Sequence, residues 1–228
     1  MSEDVEVSGA AVESPAGAAV FVRYFAEAPD LARFSYAARR ILATSAALFY
    51  RQGAVGTSIR DITKACGLTP GAFYNHFASR DDVLDVLVRH GHDALEARIA
   101  AALDAADADP GLQLAAFVRA YVLGHLVHPE LAQLVRREYV HLSPPRHAAI
   151  VRRRRALRTR LSRMLRAGAA GGAFDLPGGA GASTRVAVMV LDMCSRTSEW
   201  YDPSRAESPE RLAERYVVAA LRLAGAGG

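Results

Sequence analysis

The stretch TSIRDITKACGLTPGAFYNHF, residues 57–77, carries two helix starts and one helix stop within a few turns. Ser58 with Asp61 three residues on forms a capping box: the hydroxyl accepts from a first-turn amide and the carboxylate reaches back to the Ser58 amide. Ile59 and Ile62 then face inward for about two turns. Gly67 closes that helix, because the left-handed C-terminal cap costs glycine little, and Leu68 is a buried spacer. Thr69 caps the next helix and Pro70 starts it, since proline at the first helical position sacrifices no hydrogen bond. Two short helices joined across a glycine turn are the sequence form of a helix-turn-helix, whose second helix enters the DNA major groove.

The residues on that second helix fit close approach to a duplex. Gly71 and Ala72 are small enough to let the backbone near DNA. Tyr74 and His76 can each donate to a phosphate, and Asn75 either reads an adenine edge or points to solvent. Thr69 offers its hydroxyl and the local amide dipole to a phosphate, and Ser58 or Thr57 does the same for the preceding helix. Arg60 and Arg80 supply the charge that displaces counterions. Lys64 is either solvated or near a phosphate. Phe73 and Phe77, spaced by four, belong to the core. A lone Tyr-x-His on a helix is usually packing, but within a capped helix-turn-helix it reads as DNA contact.

Working outward, residues 1–30 mix Gly, Ala, Ser, Pro and acids and read as a mobile arm in which only AVFVRYFAEA could dock. Residues 31–79 form the DNA-binding domain, in which Ile41, Leu42, Leu48 and Phe49 mark the inner face of a helix stopping at Gly53. Residues 80–228 form the ligand-binding and dimerisation domain. A long amphipathic helix spans 80–106, weakened by Gly91 at its middle. An almost wholly apolar helix starts at Pro110 and another at Pro129. An arginine-rich one covers 145–168, a glycine-rich loop follows, and two helices with broad apolar faces, 184–201 and SPERLAERYVVAALRLAG, end the chain. The fold class is all-α with about nine helices, and no internal repeat is present.

Composition narrows the function. At 228 residues and 51% hydrophobic content the chain can bury a substantial core, and its acidic start together with the lack of a 20-residue apolar run points to the cytoplasm rather than secretion or a membrane. Cys66 and Cys194, the only cysteines, are too few for a disulfide framework and read as inert core residues. His125, His128, His141 and His147, with Glu130 and Glu138, match no ligand spacing, and His90 and His92 lie on different faces of one helix, so no metal or other cofactor is expected. No nucleophile elbow or phosphate-cradling glycine loop occurs, which argues against an enzyme. Arg152–Arg155 could grip an anionic ligand, although such runs are more often solvated faces. Arg196 shares a face with Trp200 one turn on, inside an apolar helix, and so must hold a ligand's anionic end or an acid across a dimer seam. Phe117, Tyr121 and His125 share another face and are pocket-lining candidates, with Leu134 and Met189 behind them; plain core packing is the alternative.

The stretch ILATSAALFYRQGAVGTSIRDITKACGLTPGAFYNHFASRDDVLDVL, residues 41–87, resembles the amino-terminal domain of the TetR family of bacterial transcriptional regulators. The resemblance lies in the Ile-Leu and Leu-Phe pairs before Gly53, the hydroxyls before Ile59, the Ala65-x-Gly67 turn, and Gly71-x-x-Tyr74-x-His76-Phe77 followed by Arg80. Thr44 and Ser45 replace the family's small alanines, and Ala38 stands where an arginine often touches the DNA backbone. The resemblance implies a homodimer joined through the two carboxy-terminal helices, a palindromic operator in double-stranded DNA, and a small-molecule effector. HLSPPRHAAI, SEWYDP and the last helix look like a subgroup whose ligands include acyl-coenzyme A thioesters and steroid fragments. The expected function is a repressor released by its effector. A ligand-independent architectural DNA-binding protein, or a small-molecule-binding protein without DNA function, are the alternatives.

Overall fold

The computed structural model describes residues 18–28, 31–202 and 207–226. Among these the fold is all-α, with one isolated bridge between Phe174 and Ala226 and no strand. Two compact units divide between Arg80 and Asp81.

In the first unit, α1 (Ala18–Glu27) lies on α2 (Tyr36–Gln52). Phe21 and Phe25, spaced by four, are each 1% exposed, and the Phe21 ring centroid lies 6.1 Å from that of Tyr50. Burying a phenylalanine is worth about 1.5–3 kcal/mol, enough to hold a short helix that propensity alone would leave marginal. The apolar piece AVFVRYFAEA of the expected arm over 1–30 is thus docked as α1; residues 1–17 and 29–30 lie outside the described residues. Helix α2 buries Ile41, Leu42, Leu48 and Phe49 and is capped by the Ser35 hydroxyl, which accepts from the Ala38 amide at 3.2 Å. Helix α3 (Ile59–Cys66) opens on the full Ser58–Asp61 capping box. It closes at Gly67, whose φ of +63° would strain any other residue. Helix α4 (Pro70–Tyr74) follows, capped by Thr69.

The second unit begins with α5 (Arg80–Ala105), whose first residue ends the first unit. Gly91 fits this long helix for a steric reason: a Cβ there would lie 2.6 Å from the Val135 side chain. Helix α6 (Pro110–Leu126) is the most enclosed element, with Leu114, Phe117, Val118 and Val122 at 1% exposure or less. It packs against α8 (Pro144–Ala170), α9 (Ala182–Ser195) and α11 (Pro209–Leu223), and also meets α7 (Pro129–Glu138) and α10 (Thr197–Trp200). A 3-10 turn, Tyr139–His141, joins α7 to α8.

The glycine-rich loop after α8 buries Phe174, which pairs with Ala226, while Arg185 donates to the carbonyls of Ala180 and Gly178. The single helix expected over 184–201 is interrupted at Arg196. There the Thr197 hydroxyl donates to the Cys194 carbonyl at 2.8 Å, competing with the helical backbone.

Candidate nucleic-acid interface and effector site

The local sequence turns α4 outward on one side only. Phe73 is fully buried and Phe77 is 5% exposed, stacked on Phe34 at 6.1 Å. With those rings inward, Tyr74 stands 56% exposed, and Thr69, Pro70, Gly71, Asn75 and His76 are exposed while Ala72 is half-buried. The helix itself ends at Tyr74; Asn75 is its cap and His76 lies in the turn beyond. The Thr69 hydroxyl accepts from the Ala72 amide at 3.2 Å, which leaves its proton free to donate. Arg60 and Lys64 are exposed on α3.

Three expected contact residues also make bonds that hold the fold, and of these Thr57 is buried. Thr57 is 1% exposed; its hydroxyl donates to the Gly53 carbonyl at 2.8 Å and accepts from Gln52. Of the two adjacent hydroxyls only Ser58 faces outward, and its oxygen is engaged with Asp61, donating to the carboxylate at 2.7 Å and accepting the amide at 3.2 Å. The hydroxyl's bond to the carboxylate, with that of the Ser58 amide at 2.8 Å, holds the Asp61 carboxyl below the usual carboxylate range. Arg80 is half-buried and donates to the carbonyls of Thr57 at 2.8 Å and Val55 at 3.2 Å, so part of its guanidinium braces the turn before α3. Arg40 does the same at the other end of α3, donating to the Cys66 carbonyl at 2.6 Å. No local spacing signals either brace.

In the second unit the expected pocket residues divide. Phe117, Tyr121, His125 and Leu134 are buried. The first three form a ladder on α6, with ring centroids 6.1 Å apart for Phe117–Tyr121 and 4.6 Å for Tyr121–His125. Burial pushes the Tyr121 phenol up and the His125 imidazole down, so both are neutral. His125 Nδ1 lies 2.9 Å from the Tyr121 carbonyl, which can only accept, so Nδ1 carries the proton and Nε2 is the acceptor.

Met189 and Trp200 do not line that interior: they are 53% and 55% exposed. The Arg196 side chain is 67% exposed and meets Glu199 at 3.5 Å, because the break after Ser195 turns it out of the apolar face. The demand for a buried counter-charge at Arg196 therefore lapses. Of the 152–155 run, Arg153 pairs with Asp93 at 2.7 Å and Glu96 at 2.9 Å, and Arg154 lies 4.9 Å from the Tyr139 ring centroid. Sequence reasoning missed the acid cluster at the start of α5. Asp81 accepts from the Ser143 amide at 3.0 Å and hydroxyl at 2.8 Å, and Arg146 bonds Asp81 at 2.5 Å and also Asp82. Cys66 and Cys194 are both buried, which raises their thiols above the ordinary range.

Comparison with known proteins agrees with this arrangement. Residues 41–87 match the model described as "Bacterial regulatory proteins, tetR family", and residues 107–224 match "Tetracyclin repressor-like, C-terminal domain". The HTH-type transcriptional repressor KstR2 of Mycobacterium tuberculosis is 40% identical over 58 residues, 25% of this chain and 29% of that relative. In that match the chain spans less than a third of the curated relative's length. The solved structure of the M. tuberculosis protein, a ketosteroid transcriptional regulator by its description, superposes with a TM-score of 0.72 at 27% identity, covering 81% of this chain and 93% of the other. A bacterial regulatory protein in the tetR family from Rhodococcus RHA1 gives a TM-score of 0.77 at 29% identity, covering 86% of this chain and all of its own. With its amino-terminal motif and more than half of its length matched by these two models, the chain belongs to the TetR family of bacterial regulatory proteins.

Proposed function

We propose that this protein is a dimeric DNA-binding transcriptional repressor, released from a palindromic operator by a hydrophobic small molecule. One observation carries the reading: the capped, five-residue α4 turns Phe73 and Phe77 inward and leaves Thr69, Tyr74, Asn75 and His76 on the surface. Hydroxyl, phenol, amide and imidazole groups on a short exposed turn suit phosphate and base-edge contact. Residues 31–79 are the DNA-binding domain in this reading and residues 80–228 the effector and dimer domain. Met189 on α9 and Val218 on α11 are exposed apolar side chains that support pairing of two protomers through those helices. Two reading helices then sit about one turn of DNA apart. A regulator of this kind works in the cytoplasm, and no described helix is long and apolar enough to cross a membrane.

The buried ring ladder of α6 supports an effector with an apolar body, and the description of KstR2 as a ketosteroid transcriptional regulator favours steroid fragments among the classes named above. Helix α5 is the transmitting element. Arg80 braces the turn before α3, and its neighbour Asp81 is held by Ser143 and Arg146 from the start of α8. An effector that shifts α8 or α5 acts on this adjacent pair. It must bind the released state more tightly, or the equilibrium does not move.

Electrophoretic shift of DNA flanking the gene tests the reading. Tyr74→Ala is expected to weaken binding on all sequences about equally, and Asn75→Ala to relax preference at one base position. Unchanged binding by both variants overturns the interface. Binding without sequence preference indicates an architectural protein, and absence of any shift by the wild type indicates a small-molecule-binding protein without DNA function.

A further inference from the structure

Helix α8 carries charge of one sign only: its 27 residues include nine arginines and no acid. Two of the nine are neutralised by α5, Arg146 by Asp81 and Asp82 and Arg153 by Asp93 and Glu96. A third, Arg154, lies over the Tyr139 ring. The other six, Arg152, Arg155, Arg158, Arg160, Arg163 and Arg166, are exposed and have no hydrogen bond or ion pair among the described residues. The formal net charge of the whole chain is only +4, so α8 concentrates positive charge rather than sharing in a general excess. Helix α11 is the contrast, since Glu210 and Glu214 are interleaved with its arginines.

Helix geometry gathers four of the six into a line. At about 100° per residue, Arg152, Arg155, Arg163 and Arg166 fall within roughly 80° of the helix circumference, and about 1.5 Å of rise per residue spreads them over about 21 Å. Ile150, Leu161 and Leu165 lie on the opposite side, buried in the core. The side chains beside the line, Ala156, Ala167 and Ala170, are exposed and small. Like charges one turn apart, as in Arg152–Arg155 and Arg163–Arg166, work against a helix, and no acid among the described residues offsets them.

We infer that this arginine stripe docks on the phosphate backbone of double-stranded DNA, without regard to sequence and apart from the contacts of α4. Over about 21 Å one strand of a duplex carries about six phosphates, which suits a row of four guanidiniums with Arg158 and Arg160 on its flanks. Guanidinium meets phosphate through paired N–H donors, and such contacts carry no base information. Other occupants fit less well. A bilayer surface takes up a helix through an apolar face, and that face of α8 is already buried in the core. Single-stranded nucleic acid is held on aromatic platforms, and the stripe has none. A second copy of α8 would meet like charge. The docking goes beyond the repressor reading and does not depend on it.

The test uses the full chain carrying Arg60→Ala and Tyr74→Ala, which removes two expected contacts of α3 and α4. Its probe is a fluorescein-labelled duplex of scrambled sequence, followed by anisotropy over a series of salt concentrations. This background is expected to bind the duplex still. Adding Arg152→Gln, Arg155→Gln, Arg163→Gln and Arg166→Gln is expected to make the slope of log affinity against log salt shallower by about 3.6, at about 0.9 per phosphate. The pairs 152 with 155 and 163 with 166, changed separately, each give about half of that, so a fourfold variant that fails to fold leaves the test intact. No binding by the background, or a slope that neither pair moves, overturns the inference. Poly-L-glutamate that displaces the duplex at equal charge assigns the stripe to an acidic protein. Phosphatidylserine vesicles that bind through these arginines while the duplex does not assign it to a membrane, and either outcome overturns the inference. Wild-type preference for operator over the scrambled duplex is read in parallel. Its absence with the slope change intact overturns the repressor reading alone, and an unmoved slope with the preference intact overturns this inference alone.

Discussion

Replacing Thr69 with alanine tests whether α4 is held ready for DNA by its cap. The helix has five residues, far too few to persist on propensity, and the Thr69 hydroxyl accepts from the Ala72 amide at 3.2 Å. Loss of such a cap costs about 1 kcal/mol, close to a fivefold change in the ratio of ordered to disordered helix at about 1.4 kcal/mol per decade. A dimer uses two reading helices, so the cost doubles to about 2 kcal/mol, roughly a 25-fold loss of operator affinity. If the Thr69 hydroxyl also donates to a phosphate, each protomer loses about 1 kcal/mol more and the total approaches a thousandfold. Fluorescence anisotropy with a labelled operator at fixed salt separates the two outcomes, and Thr69→Ser is expected to restore binding to within a few-fold. An affinity change below about twofold for Thr69→Ala, with the circular dichroism spectrum retained, refutes the reasoning, because α4 would then be ordered by something other than its cap.

Two further outcomes follow from charges. Arg60 is exposed in the first turn of α3, and if each protomer sets it on one phosphate, Arg60→Ala makes the slope of log affinity against log salt shallower by about 1.8, or 0.9 per phosphate; an unchanged slope removes Arg60 from the interface. The Asp81 carboxyl is pushed up by burial, but hydrogen bonds from Ser143 and Arg146 outweigh this and hold it below the ordinary carboxylate range. Its folded pKa is depressed, so its contribution to stability is present above the unfolded value near pH 4 and is lost as pH falls through the folded value. Arg146→Ala is therefore expected to cost about 1 kcal/mol at pH 7, discounted because the pair is partly exposed, with the difference from wild type closing as pH falls below the ordinary carboxylate range. Urea melts across that range measure this, and a pH-independent difference points to lost packing of the Arg146 stem instead.

The first unit was legible where its interactions are local. The Ser58–Asp61 box, the Gly67 cap and the Thr69–Pro70 start each depend on residues at most three apart, and all appear as read. What the sequence could not show was how a turn aims its side chains, and which bonds cross long separations. Thr57 and Ser58 are interchangeable as letters. Their fates differ because the turn after Gly53 aims one hydroxyl at a carbonyl and the other at α3. Arg40 and Arg80 look like spare cations near a DNA-reading motif, yet each meets a carbonyl more than 20 positions away. Helix α1 was half legible for the opposite reason: AVFVRYFAEA stands out from its small, polar surroundings, and its two phenylalanines suffice to dock it.

In the second unit the ambiguity lies in apolar helices themselves. Phe117, Tyr121 and His125 on α6 and Met189, Arg196 and Trp200 further on all sit at or near helical spacing, and sequence alone gives both groups the same reading. The first group lies on a helix covered by α8, α9 and α11, so spacing by four keeps it inside. The second straddles α9 and α10, and the Thr197 hydroxyl's bond to Cys194 resets the helical phase between them. With the phase reset, Arg196 reaches solvent and Glu199, which also pairs with Arg136 of α7. An apolar stripe says that a face is covered, and only the breaks in its phase say whether the cover is the same chain. Met189 and Trp200, exposed on one protomer, are for that reason better tested by the oligomeric state of Met189→Glu than by any effector titration: dimerisation through α9 requires a monomer there, and a persisting dimer moves the protomer contact elsewhere.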